Sequence, residues 1–309
     1  MKLKPKNFAD QNRALQQSST PSSAVEPPWM ASIRLVYESL LRCLNEGRWE
    51  DLPRYMHQSC EVNGRAHSPE SYAAEMRTGG VSEIILDAVT VDEKTQRLAS
   101  TVLVKWKPSK VADGFDATGK TVQFMEQRLN WFVDGKLSNT IALADRDAIH
   151  RQLSGSTAGY APDFISKQPD GFEDTRPSGD LESTYGAYID CINKRTMESD
   201  LPTFCHPQVV HNNKVLALDN YRQLMQDAIT VMPDIDFGIH TLIVDEGAQR
   251  VAVRLEFTGT PVKEMRGVQP TGRSVHFAEH VTYQFRGGKI ARVWSLVDWV
   301  SYREQLLEK

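Results

Sequence analysis

The 309-residue chain has little cysteine: Cys43, Cys60, Cys191 and Cys205 are the only four, and no two of them form a CxxC pair. That spacing argues against a zinc site or a redox dithiol. Sparse cysteine without a signal-peptide pattern predicts a reducing setting, the cytoplasm. No apolar run approaches about 18–20 residues, so no membrane-spanning helix is expected. Neither sign of charge dominates: 36 Lys and Arg stand against 40 Asp and Glu, a net charge of −4. Nucleic acid and anionic membrane therefore have no electrostatic reason to bind. The phosphate loop, the dinucleotide fingerprint and the nucleophile elbow are missing too. The histidines match no metal-ligand spacing.

What is present is a repeat. Residues 118–153 and 271–306 align without a gap at an offset of 153, with 12 of 36 positions identical. Chance would give roughly two matches. So long a period is that of a whole small domain, not of a solenoid unit. Around Leu52-Pro53 and Leu201-Pro202 the offset is 149, and Asn63/Asn212 and Tyr72/Tyr221 keep it. The second copy therefore carries four extra residues between its third helix and first long strand, where MPDIDF lies.

Residues 1–28 are polar and rich in Ser, Pro and Gln, and they predict a disordered tail. The first copy spans 29–153. Apolar positions at 3–4 spacing from Trp29 to Leu44 predict a helix, followed by short helices at Leu52–His57 and Pro69–Arg77. The period then changes to two, predicting strands at 84–92, 98–107, 121–133 and 136–143, the last pair joined by an Asp134-Gly135 hairpin turn. Residues 154–180 form a linker rich in Gly, Ser, Pro and Asp. Its Tyr160, Phe164, Ile165 and Phe172 allow part of it to pack on a domain. Residues 181–309 repeat the order, with Asp180 as the cap of their first helix and Gly287-Gly288 as the hairpin turn. Helices followed by long antiparallel strands describe an α+β fold, a curved sheet with about three helices over its concave face. The interior of such a cone suits a small-molecule pocket.

The ordered residues of the second copy resemble a known family. They are His211-Asn212-Asn213, Met232-Pro233-Asp234, the strand Val251–Phe257 with Thr260-Pro261, Phe277, Glu279-His280, Tyr283, Gly288-Lys289-Ile290, Val293-Trp294-Ser295, Asp298 and Gln305-Leu306. Together they resemble a SnoaL-like, polyketide-cyclase-like domain of the nuclear-transport-factor-2-like fold. The first copy resembles it more weakly. The resemblance implies a cone-shaped fold, a small-molecule ligand, no cofactor and no metal. It implies acid–base chemistry next to a carbonyl: ring closure, isomerisation or dehydration. The best-known cyclases carry His-Trp-Asp in the last strand, where this chain has Val293-Trp294-Ser295.

Read from the residues, Glu279 stands out. Val275, Phe277, Glu279, Val281, Tyr283 and Phe285 share one strand face, which sets a carboxylate in an apolar row. Burial would raise its pKa toward the range of general acid–base work. Glu126 occupies the same position in the first copy, which also fits a structural ion pair with an arginine. Asp298, matched by Asp145, reads either as a helix cap or as a second acid/base group. His211 and His240 are candidates to assist. Arg254, Tyr283, Trp294, Phe257 and His280 are candidates to contact substrate, with Arg254 and Tyr283 stabilising negative charge. Alignment sets Arg254 against Val104. His276 and His280, which replace Gln123 and Gln127, lie on the polar strand face, exposed to solvent or to the other domain. Two functions remain open: a cofactor-independent acid–base enzyme with an active second copy and a degenerate first, or a non-catalytic ligand-binding or dimerisation module. In the second, the copies pair with each other or the chain forms a homodimer.

Overall fold

A computed structural model describes residues 32–108, 119–154, 162, 165 and 179–307. The expected tail at 1–28, the start of the first helix at Trp29, most of the linker, and Tyr160, Phe164 and Phe172 lie outside the described residues. Ile165 is buried, and its backbone N–H donates to the Asp87 carboxylate at 2.6 Å.

One element order occurs twice. The first copy runs α1 (Ile33–Asn45), α2 (Leu52–Tyr55), β1 (Met56–Val62), β2 (Arg65–His67), α3 (Pro69–Gly79), β3 (Val81–Asp92), β4 (Arg97–Trp106), β5 (Val122–Val133), β6 (Lys136–Ala144) and α4 (Arg146–Leu153). The second runs α5 (Leu181–Asn193), α6 (Met197–Phe204), β7 (Cys205–His211), β8 (Lys214–Ala217), α7 (Leu218–Val231), β9 (Asp236–Asp245), β10 (Arg250–Gly259), β11 (Val275–Arg286), β12 (Lys289–Val297) and α8 (Trp299–Leu307). Each copy builds a six-stranded sheet, ordered β2-β1-β6-β5-β4-β3 and β8-β7-β12-β11-β10-β9. The architecture is α+β, as the switch of period predicts. The sheets are mixed, not purely antiparallel as expected. β1 pairs with β6, and β7 with β12, in parallel. The short helix expected at Leu52–His57 stops at Tyr55, and the chain enters β1. That strand is too short and too irregularly patterned to reveal period two.

The turns form as their residues require. Asp134-Gly135 and Gly287-Gly288 all have positive φ, from 49° to 79°, which matches the twist of a two-residue hairpin. Asp180 caps α5 through the Ser183 N–H at 2.9 Å. α7 is three residues longer than α3, 14 against 11, so most of the extra length extends this helix, and Met232–Ile235 follow it. They lie against Gly259, where an added Cβ would come within 3.1 Å of the Ile235 Cα. A side chain at Gly259 would require the crossing segment to shift by a few tenths of an ångström.

Each sheet has one face under helices and one outer face. Tyr185 and Tyr188 of α5 stack on Tyr283 of β11 with ring centroids 5.0 and 5.9 Å apart, which defines the helix-covered face of the second copy. The outer faces of the two sheets meet. Ala99 and Leu129 pack with Ile243 and Ala252 in one buried cluster flanked by Trp131. The Gln127 side chain donates to the Trp294 carbonyl at 3.2 Å, and Val91 N–H donates to the Asp245 carboxylate at 3.0 Å.

At the centre of this junction His280 is 1% exposed. Its Nδ1 donates to the carbonyl of Gln127, its own counterpart in the first copy, at 3.0 Å, and its Nε2 accepts from Arg254 at 3.1 Å. Burial and the Arg254 charge push its pKa down to about 3. A histidine held neutral takes up its proton only on unfolding. Stability is then lost as pH falls from about 6.5 toward 3, by about 1.4 kcal/mol per pH unit. Replacing His280 by Gln should remove one proton from the acid limb. Chemical denaturation at stepped pH reads this, and equal slopes in both proteins would refute it.

Candidate functional site

Strand alternation and register decide what the cavity contains. In β11, Phe277, Glu279, Val281 and Tyr283 face the helices. Opposite them in β10 stand Phe257, Leu255, Val253 and Val251, and in β12 Val297, Ser295 and Val293 face Glu279, Val281 and Tyr283. α5 adds Tyr188, α7 adds Tyr221 and Met225, and the segment after α7 adds Met232 and Ile235. Val251, Val253 and Val281 pack into the core, and the other residues line a cavity of about 520 Å³, within the range of small-molecule sites.

Glu279 is the carboxyl at its base. It is enclosed by protein, and the surface it keeps opens on the cavity. Burial pushes its pKa up to about 7, against the opposing effect of a hydrogen bond from the Ser295 hydroxyl to Oε1. Ser295 is itself held by Asn212, whose Oδ1 accepts from its N–H at 2.8 Å and whose Nδ2 donates to its carbonyl at 3.0 Å. Asn212 has φ of 44°, a left-handed conformation that asparagine tolerates. The hydroxyls of Tyr188 and Tyr221 lie 2.8 Å apart. Burial raises the pKa of Tyr188, Tyr221 and Tyr283, so all three stay protonated donors at neutral pH. His211 lines the cavity with its ring 5.9 Å from that of Tyr221. Burial first, then the Lys214 charge, lowers its pKa and keeps it neutral.

The expected site residues divide by strand face. Glu279, His211, Tyr283 and Phe257 line the cavity. Asp298 lies on its rim as the cap of α8, accepting from Ser301 N–H at 3.1 Å and Ser301 Oγ at 2.6 Å. Asp145 caps α4 in the same way through Ala148 N–H. Arg254, His280 and Trp294 do not reach the cavity: alternation sends them to the outer face, and the expectation that they touch substrate is corrected. Arg254 binds Glu256 at 3.1 Å and His280, while Trp294 packs at the junction of the sheets. His240 sits in a bulge between the Thr241–Arg254 and Ile239–Leu255 pairs, with its Nε2 4.0 Å from Glu256, also on the outer face. The register sets Arg254 opposite His280 and Thr101 opposite Gln127, so the counterpart of Arg254 is Thr101, not Val104.

Sequence reasoning missed Ser295, Tyr188 and Tyr221 as site residues. Ser295 was within reach, because pairing β11 with β12 places it beside Glu279. The tyrosines come from helices whose docking has no local signal. Among the described residues, no group of three or more His, Cys, Asp and Glu side chains could hold a metal ion. No described helix is long and apolar enough to cross a membrane.

The two copies differ at this carboxyl. Glu126 is paired with the Arg128 guanidinium at 2.5 Å, beside Tyr37 and Tyr72. The second copy has Val281 in place of Arg128, and Ser295 in place of Ala142. The Asn63 clamp is kept, accepting from Ala142 N–H at 2.7 Å, but the residue it holds carries no hydroxyl. One copy thus neutralises its acid with an internal cation, and the other leaves it facing open space.

The SnoaL-like polyketide cyclase family matches residues 34–153 and 182–306, most of the chain and both copies. The chain belongs to that family. Among solved structures, a SnoaL-like polyketide cyclase from Agrobacterium tumefaciens is 36% identical. The match covers 42% of this chain and 99% of that one, with a TM-score of 0.39. TsrD from Streptomyces laurentii is 20% identical over 40% of this chain and 96% of its own, with a TM-score of 0.36. No match was found among curated proteins. In this SnoaL-like chain the last-strand triplet is Val293-Trp294-Ser295. Its Trp294 points out of the cavity and its Ser295 points in.

Two substitutions probe the acid. Ser295→Ala removes the bond that favours the ionised carboxylate and should raise the Glu279 pKa above about 7. Val281→Arg should rebuild the first copy's ion pair and pull it below 7. Carboxyl-carbon NMR titration reads both shifts, and a value unmoved by either change would show that the environment described is not the one that sets it.

Proposed function

We propose that the second copy is a cofactor-independent acid–base enzyme acting on a small, largely apolar carbonyl compound. Glu279 transfers the proton on the carbon next to the carbonyl. The observation that carries this reading is a single carboxyl buried at the base of an apolar cavity with its pKa near 7. Such a group is partly ionised at neutral pH, so it can accept a proton and return it. Ser295 orients one carboxyl oxygen and leaves the other for substrate. Tyr283, Tyr188 and Tyr221 supply neutral hydroxyls to hydrogen-bond an enolate oxygen as charge develops. Neutral His211 at the cavity wall can relay a proton to or from that oxygen. Asp298 is occupied by Ser301 and serves the fold. Proton transfer of this kind underlies ring closure, isomerisation and dehydration alike.

The alternative, a non-catalytic module, draws support from the junction of the two outer faces, which gives the first copy a packing role. It would be favoured if Glu279 were ion-paired to Arg254. Those two residues point to opposite faces, and Arg254 is bound to Glu256.

Proton abstraction can be measured without the native substrate. In D2O, the chain should catalyse hydrogen–deuterium exchange next to the carbonyl in a panel of aromatic β-keto compounds, followed by NMR. Glu279→Gln should lower the rate by about 10²–10⁴-fold. Its fold should be intact and at least as stable above pH 7, because the native state disfavours the ionised carboxylate there and loses stability as pH rises from about 4.5 to 7. A variant that unfolds, or one that exchanges at the parent rate, would sink the proposal.

A further inference from the structure

The mouth of the same cavity carries a second arrangement that the acid–base chemistry does not use. It is lined partly by the first copy, through Ala144 to Asp147 at the start of α4, and partly by Arg266 of the second. Arg266 stands in a tight turn closed by Met265 N–H on the Val268 carbonyl at 3.2 Å; Arg266 and Gly267 both have positive φ, 54° and 78°. The guanidinium lies 4.2 Å over the Trp299 ring. A guanidinium placed over an aromatic face leaves the N–H groups at its own edge available for a fork of hydrogen bonds. Among the described residues no carboxylate lies within ion-pair distance of it, and no acceptor takes its N–H groups.

The charges around it are otherwise engaged. Asp147 of the first copy holds Arg303 of α8 at 2.5 Å, and Arg146 lies 3.7 Å from Glu304. Asp145 and Asp298 cap α4 and α8, where the helix dipoles offset their charge. Asp227 accepts from Gln223 at 2.7 Å on the exposed side of α7. Asp147 also attracts Arg266 through space, while Arg303 repels it. Arg266 therefore shares its nearest carboxylate, Asp147, with Arg303, which holds that carboxylate by direct contact.

We propose that the mouth is a binding site for an anionic substituent, a carboxylate or sulfonate, on a ligand whose apolar body fills the cavity: Arg266, stacked on Trp299, receives the anion, and Asp147 of the first copy tunes the strength of the site. This rests on the cavity as a ligand site but not on the chemistry of Glu279. It also gives the first copy a part in substrate choice.

Two dyes separate the apolar body from the anion. 8-Anilinonaphthalene-1-sulfonate carries a sulfonate, and N-phenyl-1-naphthylamine is the same ring system without it. Fluorescence titration of the full chain at pH 6 and low salt compares their affinities. Arg266→Gln should weaken the sulfonate dye by about tenfold and leave the neutral dye unchanged, as expected for loss of a charge-assisted hydrogen bond. Arg266→Lys should recover part of the loss. Asp147→Asn should strengthen the sulfonate dye by about threefold, because it releases both guanidiniums. Arg34→Gln, a charge removed from the exposed face of α1, should change nothing. Failure of the chemistry is read from exchange catalysis and failure of the mouth site from the ratio of the two dye affinities, so the two are told apart. The proposal is overturned if Arg266→Gln leaves the ratio of the two affinities unchanged, or if Arg34→Gln alters it equally. It is also overturned if Leu255→Trp, which adds bulk at the cavity wall, spares sulfonate-dye binding.

Discussion

Alternation of side chains across β11 is the constraint on which the rest of the molecule depends. Glu279 and His280 are adjacent in the chain and belong to different structures. Glu279 points into the cavity, where burial raises a carboxyl to about 7. His280 points into the junction between the sheets, where burial lowers an imidazole to about 3. The same physical effect, the loss of water around an ionisable group, favours the neutral form of both. One strand therefore builds a cavity wall and a buried joint at once. A slip of register by a single residue would exchange them.

Duplication has let the two copies diverge at that strand. Both retain the glutamate, the asparagine clamp at positive φ and the capping aspartate, because each of these supports the fold wherever the chemistry goes. They part at two positions on the cavity face. Arg128 answers Glu126 with a charge, whereas Val281 answers Glu279 with none, and Ala142 stands where Ser295 supplies a hydroxyl. A buried carboxylate paired with a guanidinium is a structural element. The same carboxyl without a cation is one whose protonation can change during a reaction. α7 is three residues longer than α3, and the segment after it brings Met232 and Ile235 to the wall of the second cavity.

The first copy is not an appendage. Its outer sheet face supplies half of the junction, and the start of its last helix supplies part of the second cavity's mouth. A duplicate placed there bears on its neighbour in two ways: it packs against the sheet of the second copy, and it contributes charged residues to the entrance of the cavity.

Much of this was legible in the residues. The repeat, the three helices and four long strands of each copy, the hairpin turns and the helix cap at Asp180 follow from period, turn chemistry and offset, all local properties, whereas the short strands β1, β2, β7 and β8 do not. The sequence also singled out Glu279, because alternation alone puts it in an apolar row. It went wrong at Arg254, Trp294, His280 and His240. Chemical type suggested a site for these residues, while parity and a bulge send them to the outer face. The parallel pairing of β1 and β7 was invisible, since it joins strands distant in the chain. Tyr188, Tyr221 and Arg266 could not be placed without the docking of helices and turns. Sequence by itself determined which face of each strand is apolar and where the chain turns. Only tertiary structure decided which carboxyl is left without a cation, because that depends on which side chains the packing brings within a few ångströms of it.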